Sequence, residues 1–284
     1  MYLDFFSLAE KPFDITPDTR FLYLSPQHEE AIGALLYGVR ERRGFMLLTG
    51  EVGTGKTTSI RALLNRFPET VETALVINPL LSTLDLIKSI NRDFGLSKSG
   101  GDSIQEQVAS LNDFLLAHAQ ADFNAVVIID EAQDLSLEAM EMIRLLSNLE
   151  TETHKLLQLI LVGQPELQAM IERQELRQLR QRIQLSYALQ PLTYEETKRY
   201  ILFRLQKASP QCCLVFQPSA LKKIYECTGG IPRLINTLCD LSLLAAYTEE
   251  THIVTKKIIK IAFDDLGDKS WASSRPLWKK IRGI

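Results

Sequence analysis

The chain has 284 residues, 45% hydrophobic and 24% charged, with a formal net charge of −3. That length supports one large domain or two modest ones, and nothing in the totals marks a dedicated nucleic-acid binder, although a local basic face remains open. The four cysteines (Cys212, Cys213, Cys227 and Cys239) lack metal-ligand spacing, Asp4 and Glu10 interrupt any secretory leader, and no apolar run approaches the ~20 residues of a membrane span, so the expectation is a soluble cytoplasmic protein.

Apolar strands and amphipathic helices alternate from residue 27 to about residue 190. Periodicity and breakers predict a helix over 27–40, a strand over 44–49, a helix over 56–66 and a strand over 73–77. Helices at 83–94 and 103–120 follow, separated by Ser97-Lys98-Ser99-Gly100-Gly101. A strand at 124–130 and a helix at 136–149 come next, then a strand at 156–162, a helix at 165–181 and a last strand at 183–189. Alternation of this kind predicts an α/β fold, a parallel sheet with helices on both faces. The pattern changes at Gln190-Pro191-Leu192-Thr193. Beyond it only helical periodicity runs, over 193–207, 217–227, 231–246 and 254–264, punctuated by Pro210, Pro218 and Gly229-Gly230. The expected division is an α/β domain over 1–190, a small all-helical lid over 191–266 and a tail over 267–284.

Residues 50–57 read Gly50-Glu51-Val52-Gly53-Thr54-Gly55-Lys56-Thr57. An apolar strand precedes them and a helix continues from Thr58, the context in which this spacing forms a phosphate-binding loop. Glycines let backbone N–H groups close around phosphates, and the helix start adds its positive end. Lys56 is expected at the β- and γ-phosphates of ATP, and Thr57 on Mg²⁺ through its hydroxyl. A second motif, Ala125-Val126-Val127-Ile128-Ile129-Asp130-Glu131, is a non-alternating β-branched run ending in two carboxylates. Such a run suits a central parallel strand covered on both faces, and ligands bind at the carboxyl ends of such strands. Adjacent strand residues point oppositely, so the two acids take different roles: Asp130 the Mg²⁺ partner, Glu131 the base that orients the attacking water.

Further candidates flank these motifs. Gln164, after the strand Leu157 to Val162, is either a group holding the lytic water or a loop amide before Pro165. Asn78, ending the strand before Pro79, either bonds the Glu131 carboxylate and restrains it or serves the Asn-Pro turn. Arg177, Arg180 and Arg182 cluster before the last strand. One of them, Arg182 first and Arg180 second, is the candidate to stabilise phosphoryl charge in a neighbouring subunit; the other reading is a basic helix end. Arg233 follows Pro232 in the first turn of a helix, where the helix dipole gives it nothing, so a γ-phosphate is a candidate partner.

Taken together these residues resemble an AAA+ ATPase. The opening Phe5-Phe6-Ser7-Leu8-Ala9-Glu10-Lys11-Pro12-Phe13, then Pro17-Asp18 and Phe21-Leu22-Tyr23-Leu24-Ser25, resemble the ExeA/GspA group of secretion ATPases. So do Leu47-Leu48-Thr49-Gly50-Glu51-Val52-Gly53, Asp130-Glu131-Ala132-Gln133, Val162-Gly163-Gln164-Pro165-Glu166-Leu167 and Gly229-Gly230-Ile231-Pro232-Arg233. ExeA-type members continue into a transmembrane segment and a periplasmic peptidoglycan-binding domain that this sequence lacks. The resemblance is therefore to the short, MshM-like form linked to a mannose-sensitive haemagglutinin (type IV) pilus. Gln164 departs from the Asn, Ser or Thr of most AAA+ proteins but fits the subgroup. The resemblance implies homo-oligomers with nucleotide at subunit interfaces, pilus or secretion-system components at the inner membrane as partners, and an adenine gripped by residues ahead of the phosphate loop. Phe13, Phe21 and Tyr23 are candidates for that grip, or ordinary core.

The tail carries Trp271 and Trp278 among Lys269, Arg275, Lys279, Lys280 and Arg282, a composition that suits a membrane surface or acidic groove, or a solvated end. Three functions compete: an oligomerising Mg²⁺-ATPase driving a type IV pilus or type II secretion machine, a DNA-handling ATPase of the TnsC/IstB transposition kind, and a nucleotide-gated binding module without turnover.

Overall fold

The computed structural model describes residues 2–14, 19–77, 79–96, 102–151 and 155–266, and the chain divides into two compact units. One is Leu24–Gln190; the other combines the described residues up to Tyr23 with those from Pro191 onward. In chain order the helices and strands are α1 (Tyr2–Phe5), α2 (Pro26–Arg40), β1 (Phe45–Gly50), α3 (Lys56–Leu64), β2 (Val71–Val76), α4 (Thr83–Asp93), α5 (Ile104–Gln120), β3 (Asn124–Ile129), α6 (Leu137–Leu146), β4 (Leu157–Gly163), α7 (Pro165–Ile171), α8 (Arg177–Arg180), β5 (Ile183–Leu189), α9 (Tyr194–Ala208), β6 (Val215–Phe216), α10 (Pro218–Thr228), α11 (Pro232–Thr248), β7 (Ile253–Val254) and α12 (Lys256–Asp265).

Within Leu24–Gln190 the five strands are all parallel, in the order β2-β3-β4-β1-β5. The apolar runs do not alternate because both faces of the sheet are covered. On one face Phe45, Leu47, Val127, Ile129, Leu159 and Leu161 share a core with Leu86 and Ile90 of α4, Leu111 and Leu115 of α5, and Met140 and Ile143 of α6. The alternate residues Met46, Leu48, Val126, Ile128, Ile160 and Val162 are equally buried, and α2 and α3 pack on β1. The connection from β1 runs toward one edge of the sheet and that from β4 toward the other. These two strands are neighbours, so the crevice at their carboxyl ends is the topological switch point where open α/β sheets bind ligands.

The expected helix over 165–181 is broken into α7, a 3-10 turn at Gln174–Leu176 and α8. Leu167 and Ile171 sit one turn apart, but the next buried leucines are Leu176 and Leu179, off the 3.6-residue period. Arg173 adopts an extended conformation and resets the phase so that both leucines turn inward.

The second unit is not purely helical, since β6 and β7 pair as a short parallel ribbon between its helices. Nor does the α/β unit start at the first residue. Phe6, Leu8, Phe13 and Phe21 are buried in the helical unit with Tyr200, Leu205, Leu238 and Ile259. The buried Arg204 donates to the carbonyls of Pro12 at 2.5 Å and Asp14 at 3.1 Å, and its guanidinium stacks over Phe21. An N-terminal segment this rich in aromatics needs a core, and it finds one here. Phe13 and Phe21 are thus core residues, and Tyr23 packs on Tyr200 and Phe203. Thr193 and Glu196 close a capping box at the start of α9.

Candidate functional site

The end of β1 runs into the loop 50–55, and α3 starts at Lys56 with Gly55 as its N-cap at φ 101°. A side chain at 55 is strained at that angle, and its Cβ would stand 2.9 Å from His28 Nε2. Thr54 ties the loop internally, its hydroxyl donating to Glu51 O at 2.8 Å. Lys56 is buried and folds back on its own loop, its Nζ donating to Gly50 O at 2.8 Å and Glu51 O at 3.1 Å. Burial pulls its ammonium below the usual lysine range, while the carboxylates of Glu131, Asp130, Glu51 and Glu166 pull it back up. Val52 and Gly53 form the turn at the loop's tip, and Thr57 and Thr58 lie in the first turn of α3.

The strand expected at 124–130 ends at Ile129, and its two carboxylates diverge as adjacent residues should. Asp130 is buried, and Thr57 Oγ1 donates to its Oδ2 at 2.7 Å. Its Oδ1 accepts from the backbone N–H of Glu131 at 2.9 Å. Glu131 sits in the left-handed region at φ 52°, ψ 39°. Such strain persists only where the surroundings over-determine it. Here Glu131 Oε2 accepts from two amides, Gln133 Nε2 at 2.8 Å and Gln164 Nε2 at 3.2 Å. Gln133 Oε1 in turn accepts from the Gln164 N–H at 3.1 Å.

The structure thus brings together residues 50–57, Asp130, Glu131 and Gln164 around the carboxyl ends of β1, β3 and β4. A hydroxyl beside a carboxylate, both hard oxygen donors, fits Mg²⁺, and the loop's backbone fits a phosphate chain.

Arg180 and Arg182 make their contacts with residues other than these. Arg182 is half-buried and donates to Ser147 Oγ at 3.0 Å, whereas Arg180 is exposed with its Nη1 3.5 Å from Glu172 O. Arg233 is exposed, directly after Pro232 at the start of α11 in the helical unit. Asn78, the loop 97–101 and the tail 267–284 lie outside the described residues.

Two residues of the site carried no functional reading in the sequence. Gln133 lies in a 3-10 turn (Ala132–Asp134), where no periodicity marks it; the available signal was an amide two residues past the base. His28 is buried on α2, with Nε2 2.9 Å from Thr54 O and Nδ1 2.7 Å from Ser25 Oγ. Ser25 N–H also donates to Nδ1, at 3.3 Å. A nitrogen that accepts from a backbone N–H carries no proton, so Nε2–H donates to Thr54 O.

Residues 39–171 match a family of AAA domains. General secretion pathway protein A of Aeromonas hydrophila is 44% identical over 264 residues, 92% of this chain and 48% of that protein. The chain thus spans about half the length of this relative, and the similarity runs over nearly the whole of this chain. Among solved structures, the Aeropyrum pernix ORC2 protein in ADPNP–ADP complexes aligns over 92% of this chain and 72% of its own at TM-score 0.62 and 16% identity. Cdc6p of Pyrobaculum aerophilum aligns over 89% and 70% at TM-score 0.67 and 18% identity. Drosophila ORC bound to DNA aligns over 94% and 67% at TM-score 0.70 and 16% identity. The fold is that of the P-loop AAA+ ATPases, a five-stranded parallel sheet with helices followed by a helical C-terminal region.

Proposed function

We propose that this chain is a Mg²⁺-dependent ATPase that works as a homo-oligomer on a cell-envelope assembly at the cytoplasmic face of the inner membrane. The assembly would be a type II secretion system or, in the finer reading, the mannose-sensitive haemagglutinin type IV pilus. The observation that carries the hydrolase reading is the division of labour at the end of β3. Asp130 is engaged by the Thr57 hydroxyl, and Glu131 is held separately by amides. The envelope reading rests on the 44% identity to general secretion pathway protein A.

In this reading the loop N–H groups and Lys56 hold the triphosphate, and Lys56 exchanges its two carbonyl partners for phosphate oxygens. Thr57 and Asp130 hold Mg²⁺, which neutralises charge on the phosphates when bound. Glu131 takes the proton of a water whose oxygen attacks the γ-phosphorus, Gln164 helps hold that water, and the bond to the β–γ bridging oxygen breaks to release ADP. Arg180 or Arg182 of a neighbouring copy completes the charge around the γ-phosphate. Of the two finger candidates, Arg180 is the exposed one.

Likeness to ORC bound to DNA at 16% identity is one of fold, and gives a DNA-handling role no support of its own. The test is Glu131→Gln: nucleotide affinity stays and turnover falls at least ~100-fold. Equal turnover in the variant removes Glu131 as the base.

A further inference from the structure

We propose that Gln133 is a positioning residue for hydrolysis, the side chain that fixes the Glu131 carboxylate in its working orientation. The inference rests on reading Glu131 as the base.

The geometry leaves the Gln133 amide one orientation. The Gln164 N–H can only donate, so Gln133 Oε1 must face it; the Glu131 carboxylate can only accept, so Gln133 Nε2 must face that. Each end of the amide meets a complementary partner, one on the loop after β3 and one on the loop after β4. Gln133 therefore measures the distance between those two loops and transfers it to the carboxylate.

The neighbouring residues fit this role. A Cβ on Gly163 would stand 2.7 Å from Gln133 Oε1 and 2.7 Å from Leu167 Cδ2. The absent side chain at 163 is what lets the Gln133 amide lie across the end of β4. The backbone of Glu131 is anchored by its own N–H bond to Asp130. A left-handed backbone, an anchored N–H and two amide donors converging on Oε2 restrict where Oε1 can point. A glutamate side chain in water samples many rotamers, and a base must stand within hydrogen-bond reach of its water. Gln164 supplies the weaker of the two side-chain contacts, 3.2 Å against 2.8 Å, so Gln133 is the principal clamp.

A role confined to joining the two loops makes a different prediction, and two substitutions separate them. Gln133→Ala removes both bonds. Gln133→Glu keeps the size and the acceptor facing Gln164 N–H but replaces the donor with a second carboxylate against Glu131. The experiment measures kcat and KM for ATP, the Kd of a fluorescent ATP analogue, and melting temperature for the full chain.

With Gln133 positioning the base, Gln133→Ala lowers kcat about 10- to 100-fold, the range of a lost hydrogen bond to a charged group. KM and Kd stay within about twofold, because the residue acts on the chemical step rather than on binding. Gln133→Glu falls as far or further while melting like the wild type. The proposal is overturned if Gln133→Glu keeps the wild-type kcat, which leaves only the loop-joining role, or if Gln133→Ala turns over at the wild-type rate. With an active wild type and an inactive Glu131→Gln variant, those results refute the clamp alone. If the wild type hydrolyses no ATP, or Glu131→Gln hydrolyses it at full rate, the reading of Glu131 falls and the clamp with it.

Discussion

His28 offers the sharpest test of how the phosphate loop keeps its shape. Its imidazole bridges the N-terminus of α2 to the loop, accepting from Ser25 at Nδ1 and donating to Thr54 O from Nε2. Both His28 and Thr54 are buried, so water cannot replace the lost bonds without rearrangement. His28→Ala removes two to three bonds worth about 1 kcal/mol each and strips a buried carbonyl of its donor at about 1–3 kcal/mol, so a loss of about 3–6 kcal/mol is expected. For a unit of this size that is roughly 6–24 °C in melting temperature. Part of the loss should be local, appearing as weaker ATP binding, because Thr54 directly precedes the left-handed Gly55 that starts α3. His28→Gln places an amide donor where Nε2 stood and should recover part of both effects. The assays are thermal melting without nucleotide and titration with a fluorescent ATP analogue. A His28→Ala protein that melts within 1 °C of the wild type and binds nucleotide equally would refute the bridge.

Two further outcomes follow from the helical unit. Arg204→Met removes the bonds to the Pro12 and Asp14 carbonyls and the cation over Phe21, and should cost about 3 kcal/mol of stability in urea unfolding, with the Arg20–Phe21 bond becoming a site of early tryptic cleavage. Burial raises the Cys239 thiol far above its ordinary range, and Cys213 is exposed. An alkylating thiol reagent near pH 8 should therefore label Cys213 in the folded protein and reach Cys239 only after denaturation; prompt labelling of Cys239 in the native state would contradict the packing.

The strands, the phosphate loop and the carboxylate pair were legible because each leaves a signature in spacing or run length. A strand covered on both faces reads as a nearly continuous apolar run, and β1, β3 and β4 do, with Thr49 and Gln158 as buried polar exceptions. A phosphate loop needs glycines and a lysine at fixed intervals. The break in the helix after Ile171 was not legible, because the whole stretch keeps helix-forming residues and only the phase of Leu176 and Leu179 forces it. The home of the first 23 residues was equally hidden: Phe6, Phe13 and Phe21 declare that they need a core, but not whose. Gln133 and His28 are invisible for another reason. Each acts through polar contacts that reach a residue distant along the chain, Gln164 for Gln133 and Thr54 for His28. Hydrophobic patterning carries no record of such contacts.

The charges around Lys56 bear on why a lone subunit should be slow. Glu131, Asp130, Glu51 and Glu166 all act on this one buried ammonium, so the α/β unit presents a locally acidic site to a ligand that is itself strongly anionic. A divalent cation, if held by Thr57 and Asp130 as proposed, would offset part of that imbalance. Since Arg182 is engaged by Ser147 within its own chain and Arg180 faces solvent, the remaining positive charge is expected from another copy. Turnover per subunit should then rise steeply with protein concentration. Subunit mixing provides the more stringent measurement. An Arg180→Ala subunit retains a working Glu131 but offers no finger, and a Glu131→Gln subunit offers a finger but has no base. Each alone should be nearly inactive, yet their mixture should regain turnover, because some interfaces pair an intact base with an intact arginine. A mixture no faster than the sum of its parts, with both variants still assembling and binding ATP, would mean that Arg180 does not act across the interface. Repeating the mixture with Arg182→Ala would then decide whether the engaged arginine leaves Ser147 to do so.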